Sequence, residues 1–256
     1  MQPLDRTRLE KALFDHGFDL TPTLEAGWLV GRSTQHPISV RLRFEADGVI
    51  ALAASNDTLR AALQREGFAC FDDAVSKANP WRIATPDFTA FYLTLGRFAA
   101  LARSLPNQVA ERFAAVTRHL PVSTEAERLV VQRIGQDLFR AALIDYWQGR
   151  CAVTGLDLVP LLRASHIKPW AACSSDAERL DVFNGLLLAP HLDALFDGGW
   201  ITFLDDGAMQ ISEALTPSRL QLLGIAPELA LTGLTDPHRA YLTYHRAHVF
   251  KTAKSE

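Results

Sequence analysis

Cysteine is scarce in this 256-residue chain: Cys70, Cys151 and Cys173 are widely spaced, odd in number and contain no C-x-x-C pair. That excludes a disulfide framework and a four-thiolate zinc site, and buried, reduced thiols are expected instead. Long apolar runs are missing too. None approaches the roughly 18 to 20 residues that cross a bilayer, and the opening Met1 to Arg6 lacks the basic-then-apolar layout of a secretory signal, so a cytoplasmic protein with no membrane partner is expected. There is no internal repeat and no low-complexity segment. Charge of one sign is also lacking. A net charge of −3 argues against a protein that coats nucleic acid by bulk attraction, so such a partner would need a local basic patch.

What is present is an ordinary globular composition, 48% hydrophobic and 21% charged, which excludes a disordered chain. At about 150 residues per domain the length allows one or two domains. Charge divides unevenly: residues 1–120 hold 14 Lys/Arg against 13 Asp/Glu, and residues 121–256 hold 12 against 16. Within the second part, Arg128, Arg133, Arg140, Arg150, Arg163 and Lys168 outnumber Asp137, Asp145 and Asp157.

Leu9, Leu13 and Phe14 predict a first helix stopping near Gly17. Segments 27–31, 38–44 and 49–54 read as three strands of a small antiparallel sheet, the last two a hairpin around Ala46-Asp47-Gly48. Asn56 or Asp57 caps a helix through Leu59 and Leu63, and Phe88, Phe91, Leu95, Phe98 and Leu101 mark a longer helix with a core-facing stripe. Breaks fall at Pro106-Asn107 and at 119–124, which puts the domain boundary near 120. Ser123 or Thr124, with Glu127, then starts a helix in capping-box spacing that runs to Gly149.

Residues 150–206 carry the chemistry. Apolar runs at 150–155 and 161–170 and a polar loop at 171–181 imply two short strands and a loop ahead of Asn184. After Pro190 a helix bears His191, Asp193 and Asp197 and stops at Gly198-Gly199. Asp193 and Asp197, four apart, share a helix face within reach of one cation, although a solvated pair on an exposed turn fits the same spacing. Asp205-Asp206-Gly207 reads as a turn between strands.

The whole pattern is more specific than its parts. His166 stands at the end of an expected hairpin strand, Asn184-Gly185 follows 18 residues later, and acids stand at +9 and +13 from that asparagine. Together with ASHIKPW at 164–170, NGLLLAPHLDALFD at 184–197 and GWITF at 199–203, this resembles the HNH endonucleases, restriction-type branch, over about residues 124–250. The resemblance implies an α+β protein with a C-terminal ββα-metal (HNH) core inside a nuclease domain at 121–256. Residues 1–120 would form an N-terminal α+β domain with its small sheet, for DNA recognition or regulation.

The implied activity is metal-dependent hydrolysis of DNA phosphodiesters, in keeping with restriction of foreign DNA. His166 would be the base, Asn184 would fix the loop that holds the His166 ring, and Asp193 and Asp197 would hold Mg²⁺ or Mn²⁺, with His191 as the alternative ligand. Lys168, Arg163, Arg140 and Arg133 are the candidate DNA phosphate contacts, against plain surface solubility. A homodimer is the usual way to cut both strands. Two departures stand out: Ser165 occupies a place where many members carry an acidic or histidine ligand, and His191 lies two residues before Asp193, about 200° around a helix. The alternative is a nucleic-acid-binding module that kept the HNH shape without cleavage; Ser165 favours it, and the joint presence of His166, Asn184, Asp193 and Asp197 favours an enzyme.

Overall fold

The computed structural model describes residues 2–72, 80–105, 108–121, 123–226 and 228–252, so the Pro106-Asn107 break and Val122 lie outside the described residues. The chain is a mixed α and β protein in two units, Met1–Gln108 and Val109–Glu256. The division falls before the break near 120 because Val109 and Phe113 are buried in the core of the second unit.

The first unit runs α1 (Pro3–Asp15), β1 (Leu20–Glu25), β2 (Trp28–Arg32), β3 (Val40–Phe44), β4 (Ile50–Ala54), α2 (Asp57–Arg65), β5 (Phe71–Asp72), β6 (Trp81–Thr85) and α3 (Phe88–Ser104). Its antiparallel sheet has the order β1-β2-β3-β4-β6-β5, six strands where the sequence pattern pointed to three. The additional strands are the two edges and β6: β1 contains Pro22 and is broken by a bulge, and β5 is only two residues long. The β3–β4 turn places Asp47 and Gly48 at φ of 58° and 78°, a left-handed conformation that short polar residues and glycine tolerate. Asn56 caps α2 by accepting from the Leu59 amide, as its position predicts. Helices cover one sheet face: Gly31 of β2 lets the Leu13 side chain of α1 approach, and Trp81 of β6 meets Phe98 of α3.

The second unit continues with α4 (Gln108–Thr117), α5 (Glu125–Tyr146), β7 (Arg163–His166), α6 (Asp176–Arg179), β8 (Gly185–Leu188), α7 (Pro190–Asp197), β9 (Ile201–Phe203), β10 (Met209–Ile211), α8 (Pro217–Leu222) and α9 (Asp236–His248). Thr124 and Glu127 form the capping box that starts α5. The run at 150–155 is a turn rather than a strand. Its apolar residues Cys151, Ala152 and Val153 are buried, and the Cys151 sulfur accepts from the amides of Thr154 and Ala189. Only 163–166 of the second run is extended; it pairs with β8 in an antiparallel hairpin that sets His166 opposite Gly185. A Cβ on Gly185 would lie 2.5 Å from the Phe139 ring and 2.8 Å from Leu143, so glycine is what lets the hairpin settle onto α5.

α9 closes this unit through His245. The ring lies 3.9 Å from that of Phe196 at 1°, Nε2 donates to the Phe196 carbonyl at 3.0 Å, and Nδ1 accepts from the Thr202 hydroxyl at 2.9 Å. Burial pushes its pKa down to about 4. Because the unfolded chain takes up this proton far more readily than the folded one, stability is complete above about pH 6.5 and falls as pH drops toward 4, by up to about 3 kcal/mol. Chemical denaturation at pH 7 and pH 5 measures this, and His245→Asn should shrink the difference; an equal loss in that variant would assign the acid sensitivity elsewhere.

Candidate active site

Strand alternation decides what each residue of β7 faces. Ala164 and His166 open onto a cavity of about 290 Å³ whose other walls are Arg133, Gln136, Asp137, Phe139 and Arg140 of α5, and Trp170. Arg163 and Ser165 take the other side, where both act on the Asp193 carboxylate of α7. The imidazole thus turns toward α5 and the Ser165 hydroxyl toward α7, while the Asp197 charge of α7 still reaches the His166 ring.

His166 is held on three sides. It stacks on Phe139 at 3.9 Å and 16°, meets Trp170 edge-on at 5.5 Å, and its Nε2 lies 2.8 Å from the Arg179 carbonyl oxygen. A carbonyl only accepts, so Nε2 must carry the hydrogen, and in the neutral ring the lone pair is then on Nδ1. No group among the described residues hydrogen-bonds to Nδ1. Burial pushes the ring's pKa below its ordinary value, against a smaller upward pull from the Arg179 carbonyl and the Asp197 charge. At neutral pH the ring is thus an unprotonated base with one nitrogen fixed and one available.

Arg179 is presented by the loop that Asn184 clamps. The Asn184 side chain is fully buried; Oδ1 accepts from the Lys168 amide at 2.7 Å, and Nδ2 donates to the carbonyls of Lys168 and Glu178, both at 3.2 Å. Asp181 reinforces the same loop from within, accepting from the Phe183 amide and from the Tyr241 hydroxyl of α9. Lys168 is engaged here too: its Nζ meets Glu178 at 2.6 Å and sits 5.1 Å from the Tyr244 ring centre.

On the α7 side, burial raises the Asp193 pKa, with the Asp197 charge adding to it and Ser165 and Arg163 opposing. The Ser165 hydroxyl faces this carboxylate without reaching hydrogen-bond geometry, and its oxygen is buried without a partner. Among the described residues, no group of three or more His, Cys, Asp or Glu side chains is arranged to hold a metal ion. His191 is exposed in the first turn of α7, about 200° around the helix from Asp193.

Of the candidate phosphate contacts, Arg133 and Arg140 share the cavity with His166, while Lys168 and Arg163 do not line it. Arg140 is partly committed, donating to the carbonyls of Leu162 and Val159, and Arg133 pairs with Asp137 at 3.7 Å on an exposed turn. Arg179, Phe139, Trp170 and Tyr241 complete the surroundings of His166 and its loop. Their contributions are the Arg179 carbonyl, ring packing and the Tyr241 hydroxyl on Asp181, which form no motif that spacing in the sequence could reveal.

Residues 151–204 match a family model described as HNH endonuclease. This segment is similar to HNH endonucleases. No curated protein matches the chain. The HNH segment contains the β7–β8 hairpin and α7, and with them His166, Asn184, Asp193 and Asp197. It supports nuclease activity for the second unit and DNA as the substrate. Among the described residues, no helix is long and apolar enough to cross a membrane.

Proposed function

We propose that the protein is a metal-dependent DNA endonuclease whose β7–β8 hairpin and α7 act as the ββα core, with His166 as the base. The observation that carries this reading is the tautomer imposed by the Arg179 carbonyl, which leaves the Nδ1 lone pair of a half-buried, neutral imidazole free of any described partner. Nδ1 takes the proton of the attacking water as its oxygen bonds to phosphorus, and the leaving oxygen departs with the electron pair of the broken P–O bond. Asn184 holds the loop that holds the ring. Arg133 and Arg140, whose planar guanidinium groups match phosphate oxygens, bind the neighbouring backbone.

The α7 side suits a hard divalent cation. Burial, and after it the Asp197 charge, raise the Asp193 pKa, and the Ser165 oxygen facing Asp193 is buried without a hydrogen-bond partner. Ions of the Mg²⁺ class accept one or two carboxylates and keep waters, so Asp193 and Asp197 would hold the ion, with Ser165 as a neutral third oxygen. When bound, such an ion supplies charge neutralisation at the phosphate and leaving oxygen.

Supercoiled plasmid tests the reading: nicking or linearisation is expected with Mg²⁺ or Mn²⁺ and none with chelator. Asp193→Asn should raise the metal concentration needed by more than about tenfold, and the metal-induced rise in melting temperature should shrink in step. Wild-type protein that binds DNA and leaves it intact under every metal condition would replace this reading with that of a binding module.

A further inference from the structure

We propose that the face of the first unit's sheet turned away from its helices is a docking surface for the phosphate backbone of duplex DNA. The inference takes its choice of DNA from the nuclease reading, and its physical basis lies in the other unit. Gly31 against Leu13 and Trp81 against Phe98 identify the helix-covered face, so the alternate residues occupy the opposite one. There the register aligns Val30, Arg41, Ala53, Arg82 and Phe71 in one row across five strands, with Arg43 beside Ala51 in the next. The Arg43 guanidinium lies 4.2 Å from the Trp28 ring centre.

The charges are out of balance. Glu25 is shared by Arg32 and Arg41, and Glu45 by Arg43 and Arg82, so among the described residues these two carboxylates serve four guanidinium groups, an excess of two positive charges. In a chain of net charge −3 this is the kind of local basic patch that nucleic-acid binding requires. One carboxylate shared between two guanidinium groups leaves most of their ten N–H donors for other acceptors, and phosphate matches the same planar fork. The apolar residues between the arginines, Trp28, Val30, Ala51 and Ala53, are buried, and only Phe71 at the edge-strand end of the row is an exposed apolar side chain. A protein partner would need an exposed apolar centre, whereas a row of half-exposed guanidinium groups over a small-residue floor suits sequence-independent contact with a polyanion.

Binding of a fluorescent 30-base-pair duplex to the full chain, in chelator so that nothing is cut, tests this across a range of salt concentrations. Arg32→Gln with Arg82→Gln leaves each carboxylate one arginine and keeps Arg43 on Trp28. Affinity at about 100 mM salt should fall by more than about tenfold, and the slope of log affinity against log salt should drop by about 1.8. The Lys pair at the same positions should restore most of the slope. In the opposite direction, Glu25→Gln with Glu45→Gln should tighten binding and steepen the slope. Unchanged affinity and slope in a folded Gln/Gln variant overturns the proposal; if that variant does not fold, an unchanged slope in the Glu25→Gln, Glu45→Gln protein overturns it. Tighter binding of single-stranded RNA, lost in the same variants, overturns the choice of DNA. Failure of the nuclease reading would show instead as an uncut plasmid with these binding results intact.

Discussion

Replacing His166 with alanine is expected to lower the rate of plasmid cutting by about 10²- to 10⁴-fold, the range a positioned general base contributes, while DNA affinity in chelator stays within about twofold. The separation of the two readouts follows from the ring's placement. Its Nε2 is occupied by the Arg179 carbonyl and its face by Phe139, so the one nitrogen left for a ligand is Nδ1, and phosphate binding falls to the arginines of α5. Added imidazole should recover part of the lost rate by entering the space the side chain leaves beside Phe139 and Trp170. The wild-type rate should also rise with pH along an acid limb centred below the ordinary histidine value, because burial disfavours imidazolium and a bound cation would disfavour it further. A variant that cuts at the parental rate, or a limb centred well above pH 7, would remove His166 from the role of base.

Legibility in the sequence tracked how local the cause was. Thr124 with Glu127, Asn56 and the Asp47-Gly48 turn act over three or four residues, and each is found where its pattern stands. The run at 150–155 failed for the opposite reason: Cys151 and Val153 are apolar because they fill the second core from a turn, and periodicity cannot distinguish that from a strand. β6 carries a readable alternation in Trp81, Ile83 and Thr85, whereas β5 is too short and β1 too irregular for any period to register.

At the site, His166 ends β7, Asn184 lies in the turn just before β8, and Asp193 and Asp197 lie on α7. What spacing hides is which side of β7 each neighbour faces. Ser165 and His166 are consecutive in an extended strand, so they divide between α7 and α5, and a serine that looks like a missing acid in the sequence is a buried oxygen facing Asp193 in the fold. The Arg179 carbonyl that fixes the His166 ring is a backbone group, invisible to any reading of side-chain types.

Asn184→Ala should be the most damaging single change in the loop, lowering both stability and activity although Asn184 makes no contact with the cavity. Alanine leaves the Lys168 amide and the carbonyls of Lys168 and Glu178 without their side-chain partner in a closed interior, and a buried group stripped of its hydrogen bond costs about 1 to 3 kcal/mol. Relaxation and water entry offset part of that sum, so a loss of about 3 kcal/mol in urea unfolding is expected. Asp in place of Asn preserves shape but turns two donors into an acceptor facing carbonyl oxygens, and it should fare no better. At a temperature where the variant remains folded, cutting should still fall by more than about tenfold: the slackened segment carries the Arg179 carbonyl, and a ring free to change tautomer spends less time with its lone pair on Nδ1. The acid limb of the pH profile should then move toward the ordinary histidine value, a shift that simple loss of folded protein cannot produce. Full activity in an Asn184→Ala protein of parental stability would mean that the packing of Tyr241, Asp181 and Lys168 holds the loop unaided.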